Sequence, residues 1–326
     1  MQKTLLAILE QIETVVIGKP NECRLALACL LAQGHLLIED LPGMGKTTLA
    51  QTLAKTLNLS YQRTQFTSDL LPSDVVGISI FNSETKAFEL HKGPIFNQVV
   101  LADEINRSSP KTQSALLEAM AEYQVSIDGV THILPKPFFV IATQNPLFHS
   151  GTYPLPESQL DRFMMRISLG FPSIAAEKAI LFSEPMTTNT EPSKTAVLAE
   201  LLSDTLTVET LLSMQNMIQK IHVSDSVIEY IIALCRVSRG QNLNDQEDKI
   251  ACKPLSPRAG KALLSAARAW AFIDNRDYLL PDDVKAVFYN VCEHRLEQNI
   301  TEHQQSSVSI SERILNTVSV LNPLNI

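Results

Sequence analysis

Two short stretches hold residues whose types and order suit phosphate chemistry. The first, Asp40-Leu-Pro-Gly-Met-Gly-Lys-Thr47, follows the apolar run His35–Glu39 and opens a helical pattern. Glycines at 43 and 45 let backbone N–H groups turn toward an anion. A helix starting at Lys46 adds the positive end of its dipole. Lys46 can then reach the β- and γ-phosphates of a nucleotide, and the Thr47 hydroxyl can bind Mg²⁺. The spacing fits the P-loop pattern at every position but the first, where Asp40 replaces glycine. A surface Gly-Lys-Thr turn is the ordinary alternative. The buried strand before the loop and the apolar helix after it argue against that.

The second stretch, Gln98-Val-Val-Leu-Ala-Asp-Glu104, is an apolar strand ending in two acids. Near a P-loop such a pair divides two tasks. Asp103 can hold a water on Mg²⁺, and Glu104 can orient and deprotonate an attacking water. Alternation along the strand sends the two side chains different ways. A solvated strand end is the plain alternative.

Three further residues are open to two readings each. Asn145 lies just past the apolar run Phe138–Thr143, where it can hold a water or a γ-phosphate oxygen, or simply form a turn before Pro146. Arg162 precedes the last apolar run. Arg258 follows Ser256-Pro257, a good helix start. A cation in a first helical turn works against the dipole, so a γ-phosphate or a surface acid must compensate it.

Elements to position these residues follow from periodicity. Apolar runs at His35–Glu39, Leu59–Phe66, Val99–Asp103, Phe138–Thr143 and Met164–Leu169 predict buried strands of a parallel sheet. Helical patterns lie between them at 20–33, 46–57, 110–122 and 157–162, which indicates an α/β domain. From about Ser173 only helical periodicity remains, with stripes at Leu211, Leu212, Met214 and Ile218 and at Leu263, Leu264, Ala267, Trp270 and Ala271. The polar segment 184–197, with two prolines, reads as a connector.

Composition excludes several classes. The 326 residues carry 45% hydrophobic side chains and a net charge of −8, which supports a full core and argues against a general nucleic-acid coat. Five cysteines without a Cys-x-x-Cys pair, and seven scattered histidines, give neither a disulfide framework nor zinc spacing. The cysteines read as buried small side chains. No leader or span-length apolar segment is visible, so a cytoplasmic protein without a membrane span is expected.

The motifs together resemble the MoxR-type AAA+ ATPases over roughly residues 14–300. The most specific stretches are Phe66-Thr-Ser-Asp-Leu-Leu-Pro-Ser-Asp74, Leu101-Ala-Asp-Glu-Ile-Asn-Arg107, Lys111–Met120, Ala142-Thr-Gln-Asn-Pro146, Gly151–Glu157 and Leu160-Asp-Arg-Phe163. The resemblance implies a P-loop AAA+ α/β domain over 1–183 with a parallel sheet, then a connector at 184–204 and a smaller all-helical lid over 205–326. Within the first domain it implies a helix-2 insert near 66–96 and a pre-sensor-1 hairpin near 124–134, where Asp128-Gly129 fits a type I′ turn.

The same resemblance assigns roles. Leu41, Pro42, Gly43, Met44, Gly45, Lys46, Thr47 and Thr48 match Walker A, and Asp103 with Glu104 match Walker B. Asn145 matches sensor 1, Arg162 the arginine finger and Arg258 sensor 2, reporting nucleotide state from the lid. Val16, Ile17 and Gly18 match the segment against adenine. Asp40 and Ser108-Ser109 depart from the usual pattern. The implied cofactors are ATP and Mg²⁺. The implied assembly is a homo-oligomeric ring, commonly a hexamer. It would remodel or mature a client protein, often by metal or cofactor insertion, beside a von Willebrand factor A domain protein. A DNA-acting AAA+ motor and a weakly hydrolysing nucleotide switch are the rival readings.

Overall fold

The computed structural model describes residues 2–145, 153–182, 206–241, 250–297 and 308–321. Its centre is a five-stranded parallel sheet of β1 (Leu36–Glu39), β2 (Tyr61–Gln65), β5 (Val99–Asp103), β8 (Phe139–Gln144) and β9 (Met165–Ile167), in the order β2-β5-β8-β1-β9. All five are the runs expected as strands: β5 matches at both ends, β1, β2 and β9 end at or up to two residues inside the expected limits, and β8 is shifted by one. The chain leaves β1 for the far edge at β2 and later returns past β1 to β9. Strand order therefore reverses across β1, which is where open parallel sheets leave a crevice at their C-terminal ends.

Both sheet faces are covered. Alternate residues Leu36, Ile38, Leu101, Ile141 and Ile167 pack against α1 (Gln2–Val15), α2 (Pro20–Leu31) and α3 (Lys46–Thr56). The opposite set, Leu37, Val100, Ala102, Val140 and Ala142, packs against α5 (Pro110–Glu122). This two-sided burial explains why the central strands read as near-continuous apolar runs.

Smaller elements decorate this layer. The short helix α4 (Pro72–Val76) leads into an antiparallel pair, β3 (Gly77–Asn82) and β4 (Ala87–Lys92). A second hairpin joins β6 (Gln124–Ile127) to β7 (Val130–Ile133) through Asp128 and Gly129, both at positive φ, 49° and 80°. Positive φ at both turn residues is what a type I′ turn demands, and Asp-Gly supplies it cheaply. A one-turn helix α6 (Glu157–Leu160) precedes β9.

Beyond β9 the described elements are helical: α7 (Ile174–Phe182), α8 (Val208–Gln219), α9 (Asp225–Ser238), α10 (Pro257–Ile273), α11 (Pro281–Leu296) and α12 (Ile310–Thr317). The expected connector at 184–204 lies outside the described residues. Ser256 caps α10 by accepting from the Ala259 N–H, with Pro257 at its first position. The helices α8–α11 share one apolar core with α1 and α2, and the Arg24 guanidinium stacks 3.9 Å over the Trp270 ring. Four of the five cysteines are buried, all are free, and Cys252 is half-buried.

Candidate nucleotide site

The loop after β1 turns on two left-handed glycines. Gly43 has φ 84° and Gly45 φ 89°, and a Cβ added at either would meet nothing within 4 Å. Glycine is needed for the backbone turn, and the space above the loop is open. Leu41, Pro42, Gly43 and Thr48 are exposed, Met44, Gly45 and Thr47 half-buried. Lys46, the first residue of α3, is only 7% exposed. Burial pushes its ammonium below the ordinary lysine value, while the carboxylates of Asp103, Asp40, Glu104 and Glu39 pull it back up.

Lys46 Nζ donates to the Asp40 carbonyl at 2.8 Å and to Asn145 Oδ1 at 3.3 Å. Asn145, 6% exposed at the end of β8, passes the contact on: its Nδ2 donates to Glu104 Oε1 at 3.2 Å. The loop lysine, the polar strand end and the second acid thus form one chain of hydrogen bonds across β1, β8 and β5.

The two acids stand apart, as alternation requires. Asp103 Oδ1 accepts from the Thr143 hydroxyl at 2.6 Å, and the same hydroxyl accepts from the Glu104 N–H at 2.8 Å. Glu104 itself has φ 55°, so the chain breaks out of β5 there. Asp103 Oδ2 is held by Arg63 through Nε at 3.1 Å and Nη2 at 2.6 Å. Glu104 Oε2 accepts from Gln65 Nε2 and from Arg107 Nη1, both at 2.8 Å. Arg63, Gln65, Arg107 and Thr143 are site residues that the motifs did not single out. The only signal for Gln65 and Arg63 is the register that sets Gln65 beside Asp103 on adjoining strands.

Asp40, where the P-loop pattern has glycine, is explained by its contacts. It is not among the positive-φ residues, so no glycine is required. Its carboxylate accepts from the Ser168 hydroxyl at 3.0 Å, from the Gly170 N–H at 3.2 Å and from the Leu169 N–H. It ties the start of the loop to the turn after β9. That turn in turn meets the segment after α1: Lys19 Nζ donates to the Phe171 carbonyl at 2.8 Å. Gly18, at φ 76°, lies so close to α7 that a Cβ would stand 2.5 Å from Ala176 Cβ. Val16, Ile17 and Gly18 are therefore brought to the P-loop side through 168–176.

The two arginines are not brought there. Arg162 lies in the turn before β9, and Met164 N–H donates to the His35 carbonyl just ahead of β1. In a parallel sheet these are the starting ends of the strands, and the P-loop is at the finishing ends. Arg162 and Arg258 line one cavity of about 300 Å³ together with His35, Tyr123, Asp161, Lys261 and Arg295. Arg162 Nη1 donates to the Leu117 carbonyl, and Arg258 Nη1 lies 3.3 Å from Asp161 Oδ2. Arg258, expected to report nucleotide state from the lid, sits beside Arg162. The reason is the docking of the lid. Arg295 on α11 donates to the Asp161 carboxylate at 2.8 Å and to the Phe163 carbonyl at 2.8 Å, fixing the lid helices over this turn.

A phosphate-binding loop on a parallel sheet with acids on the adjoining strand ends, followed by a helical lid, defines an AAA-type ATPase. Residues 35–165 match the family model described as ATPase family associated with various cellular activities (AAA), and residues 246–314 match the AAA lid domain. A Bacillus subtilis protein, YeaC, described as uncharacterized, is 44% identical over 287 residues, 88% of this chain and 85% of that one. Chaperone MoxR1 of Mycobacterium tuberculosis is 35% identical over 322 residues, 97% of this chain and 82% of that one. A crystal structure of a candidate ATPase from Cytophaga hutchinsonii aligns with a TM-score of 0.80 at 37% identity, covering 98% of this chain and 95% of the other. The chain belongs to the MoxR family of AAA+ ATPases and is an ATP-hydrolysing enzyme. No helix among the described residues is long and apolar enough to cross a membrane.

Proposed function

We propose that the chain works in a homo-oligomeric ring, hexameric as is common in the family, and that each ATP lies between the P-loop of one copy and the Arg162–Arg258 cavity of the next. In the first copy, Lys46 and the N–H groups of residues 43–47 hold the β- and γ-phosphates, and the N-terminus of α3 adds positive potential. Val16, Ile17 and Gly18 lie against adenine. The donor set suits Mg²⁺, which prefers hard oxygen ligands: Thr47 would supply a hydroxyl, and Asp103, already engaged by Arg63 and Thr143, would hold the ion through water. The chemistry the ion would supply there is neutralisation of phosphate charge. Glu104 takes the proton of the attacking water, and Asn145 holds the water and Glu104 in register. The carrying observation is the continuous contact from Lys46 through Asn145 to Glu104.

Arg162 and Arg258 act on the phosphates bound by the neighbour. Their position at the opposite ends of the strands supports this, since neither is set to meet its own loop. The work done with this energy is remodelling or maturation of a client protein, including metal or cofactor insertion, beside a von Willebrand factor A domain partner, in the cytoplasm. In support, one relative is named a chaperone and the net charge is −8, which disfavours nucleic acid. In addition, Ile78, Ile80, Phe81 and Phe88 stand exposed on the β3–β4 pair, a surface suited to apolar polypeptide.

Two variants test the reading. Lys46→Ala loses nucleotide binding, whereas Glu104→Gln binds ATP without turning it over. Parent-rate hydrolysis by Glu104→Gln would remove Glu104 from its role. Glu104→Gln rings should also retain the client, so affinity capture with that variant identifies it.

A further inference from the structure

The cavity that holds Arg162 and Arg258 is lined by more positive charge than these two supply. Arg295 and Lys261 also line it, against the single carboxylate of Asp161. Arg295 is committed to Asp161 and to the Phe163 carbonyl, and Arg258 shares the same acid at 3.3 Å. Arg162 donates to a backbone carbonyl. Among the described residues, neither Arg162 nor Lys261 has a carboxylate within ion-pair distance. Such an excess stands out in a chain with net charge −8.

Lys261 is placed there by helix geometry. Arg258, Lys261, Ala262 and Ser265 recur at the three- and four-residue spacing of one face of α10, and all four line the cavity. The first turn of α10 contains no acid. Arg258, in the first turn, opposes the helix dipole, and Lys261 one turn further adds a second positive charge beside it; a docked anion meets both. The cavity is therefore arranged for a polyanion, and a lysine serves one as a mobile point charge rather than a fixed fork.

We propose that Lys261 is a third cation presented, with Arg162 and Arg258, to the triphosphate held by the neighbouring copy, and that it strengthens ATP-driven assembly. The proposal rests on the reading above that this cavity meets a neighbour's P-loop. Lys261 is exposed, so its replacement leaves the core intact.

The test is assembly of the full chain driven by a non-hydrolysable ATP analogue, followed by sedimentation velocity, for the parent, Lys261→Gln, Lys261→Arg and Arg162→Ala. One screened contact between an ammonium and phosphate corresponds to a threefold to tenfold shift, so Lys261→Gln should need about threefold to tenfold more analogue for half-assembly. Its KM for ATP should rise by a similar factor, with kcat falling far less than in Arg162→Ala. Lys261→Arg should restore most of the loss. Analogue affinity of the dilute, unassembled chain should not move, because its own loop lies at the other end of the sheet. If Arg162→Ala is impaired while Lys261→Gln matches the parent, the Lys261 inference is overturned and the reading of the cavity stands. If Arg162→Ala also matches the parent, that reading falls too. Loss of analogue binding by dilute Lys261→Gln would likewise overturn the inference.

Discussion

The two ends of the central sheet are built differently. At the finishing ends of the strands, polar groups are buried and mutually engaged: Lys46 with Asn145, Asn145 with Glu104, Asp103 with Thr143 and Arg63. At the starting ends, Arg162, Arg258 and Lys261 converge on a small cavity with one acid among them. Buried polar groups must find partners inside the chain. Cations facing solvent need none, and can be left for a ligand. The first end is thus a finished half-site, and the second a surplus of charge awaiting a counterpart. On the account proposed above, each end completes the other only between copies.

Removing charge from the second end should have the largest effect. Arg162→Ala should lower turnover by about 10³-fold or more, as arginine fingers do, while the isolated chain binds nucleotide as before. Steady-state phosphate release together with equilibrium nucleotide binding separates the two. Equal loss of binding would return Arg162 to its own loop. At the first end, Glu104→Gln should cost about 10²–10⁴-fold in turnover, the usual contribution of a general base. Single-turnover assays read this directly, and an unchanged rate would leave the chain Lys46–Asn145–Glu104 structural only.

At the second end, His35 offers a smaller effect with a defined pH sign. Its Nε2–H faces the Met120 carbonyl at 3.1 Å and its Nδ1 accepts from the Val140 N–H at 3.1 Å, so the folded ring is neutral. Burial pushes its pKa down from 6.5 to about 4. The unfolded chain therefore takes up this proton first as pH falls. Stability from His35 is complete above pH 6.5, declines between 6.5 and about 4, and changes no further below that. The full loss amounts to about 3 kcal/mol. Thermal midpoints of the parent and His35→Gln should accordingly converge on acidification, and a constant gap between pH 7 and pH 4.5 contradicts the assignment.

The smallest effect concerns the joint at Asp40. Asp40→Ala leaves the N–H groups of Leu169 and Gly170 without their acceptor, at a cost of about 1–3 kcal/mol. Asp40→Asn, which keeps one acceptor oxygen, should lose less. Denaturant midpoints decide, and equal stability of all three chains would make Asp40 a neutral departure from glycine.

Much of the first end was legible in the sequence because its signals are local. A strand, two glycines and a lysine fall within a dozen residues, and the acids adjoin each other. Arg63 and Gln65 were not legible, since their partners are fixed by the pairing of β2 with β5, which no local pattern encodes. Asp40 read as a mere departure because its partners at 168–170 follow β9, a neighbour of β1 in the sheet but 128 residues or more away in sequence. The second end was half legible. Arg162 and Arg258 carry motif signals, but their meeting depends on how Arg295 docks the lid. Lys261 carries no motif and emerges only from the shared cavity.

The most direct test mixes two inactive chains. Lys46→Ala keeps the cationic cavity and lacks the loop lysine; Arg162→Ala keeps the loop and lacks the proposed finger. The mixture should regain ATP turnover well above the sum of the separate variants, because each Arg162→Ala loop then meets a neighbour with an intact cationic cavity. Turnover that stays at that sum, in mixtures shown by sedimentation to co-assemble, would contradict a nucleotide site shared between two copies.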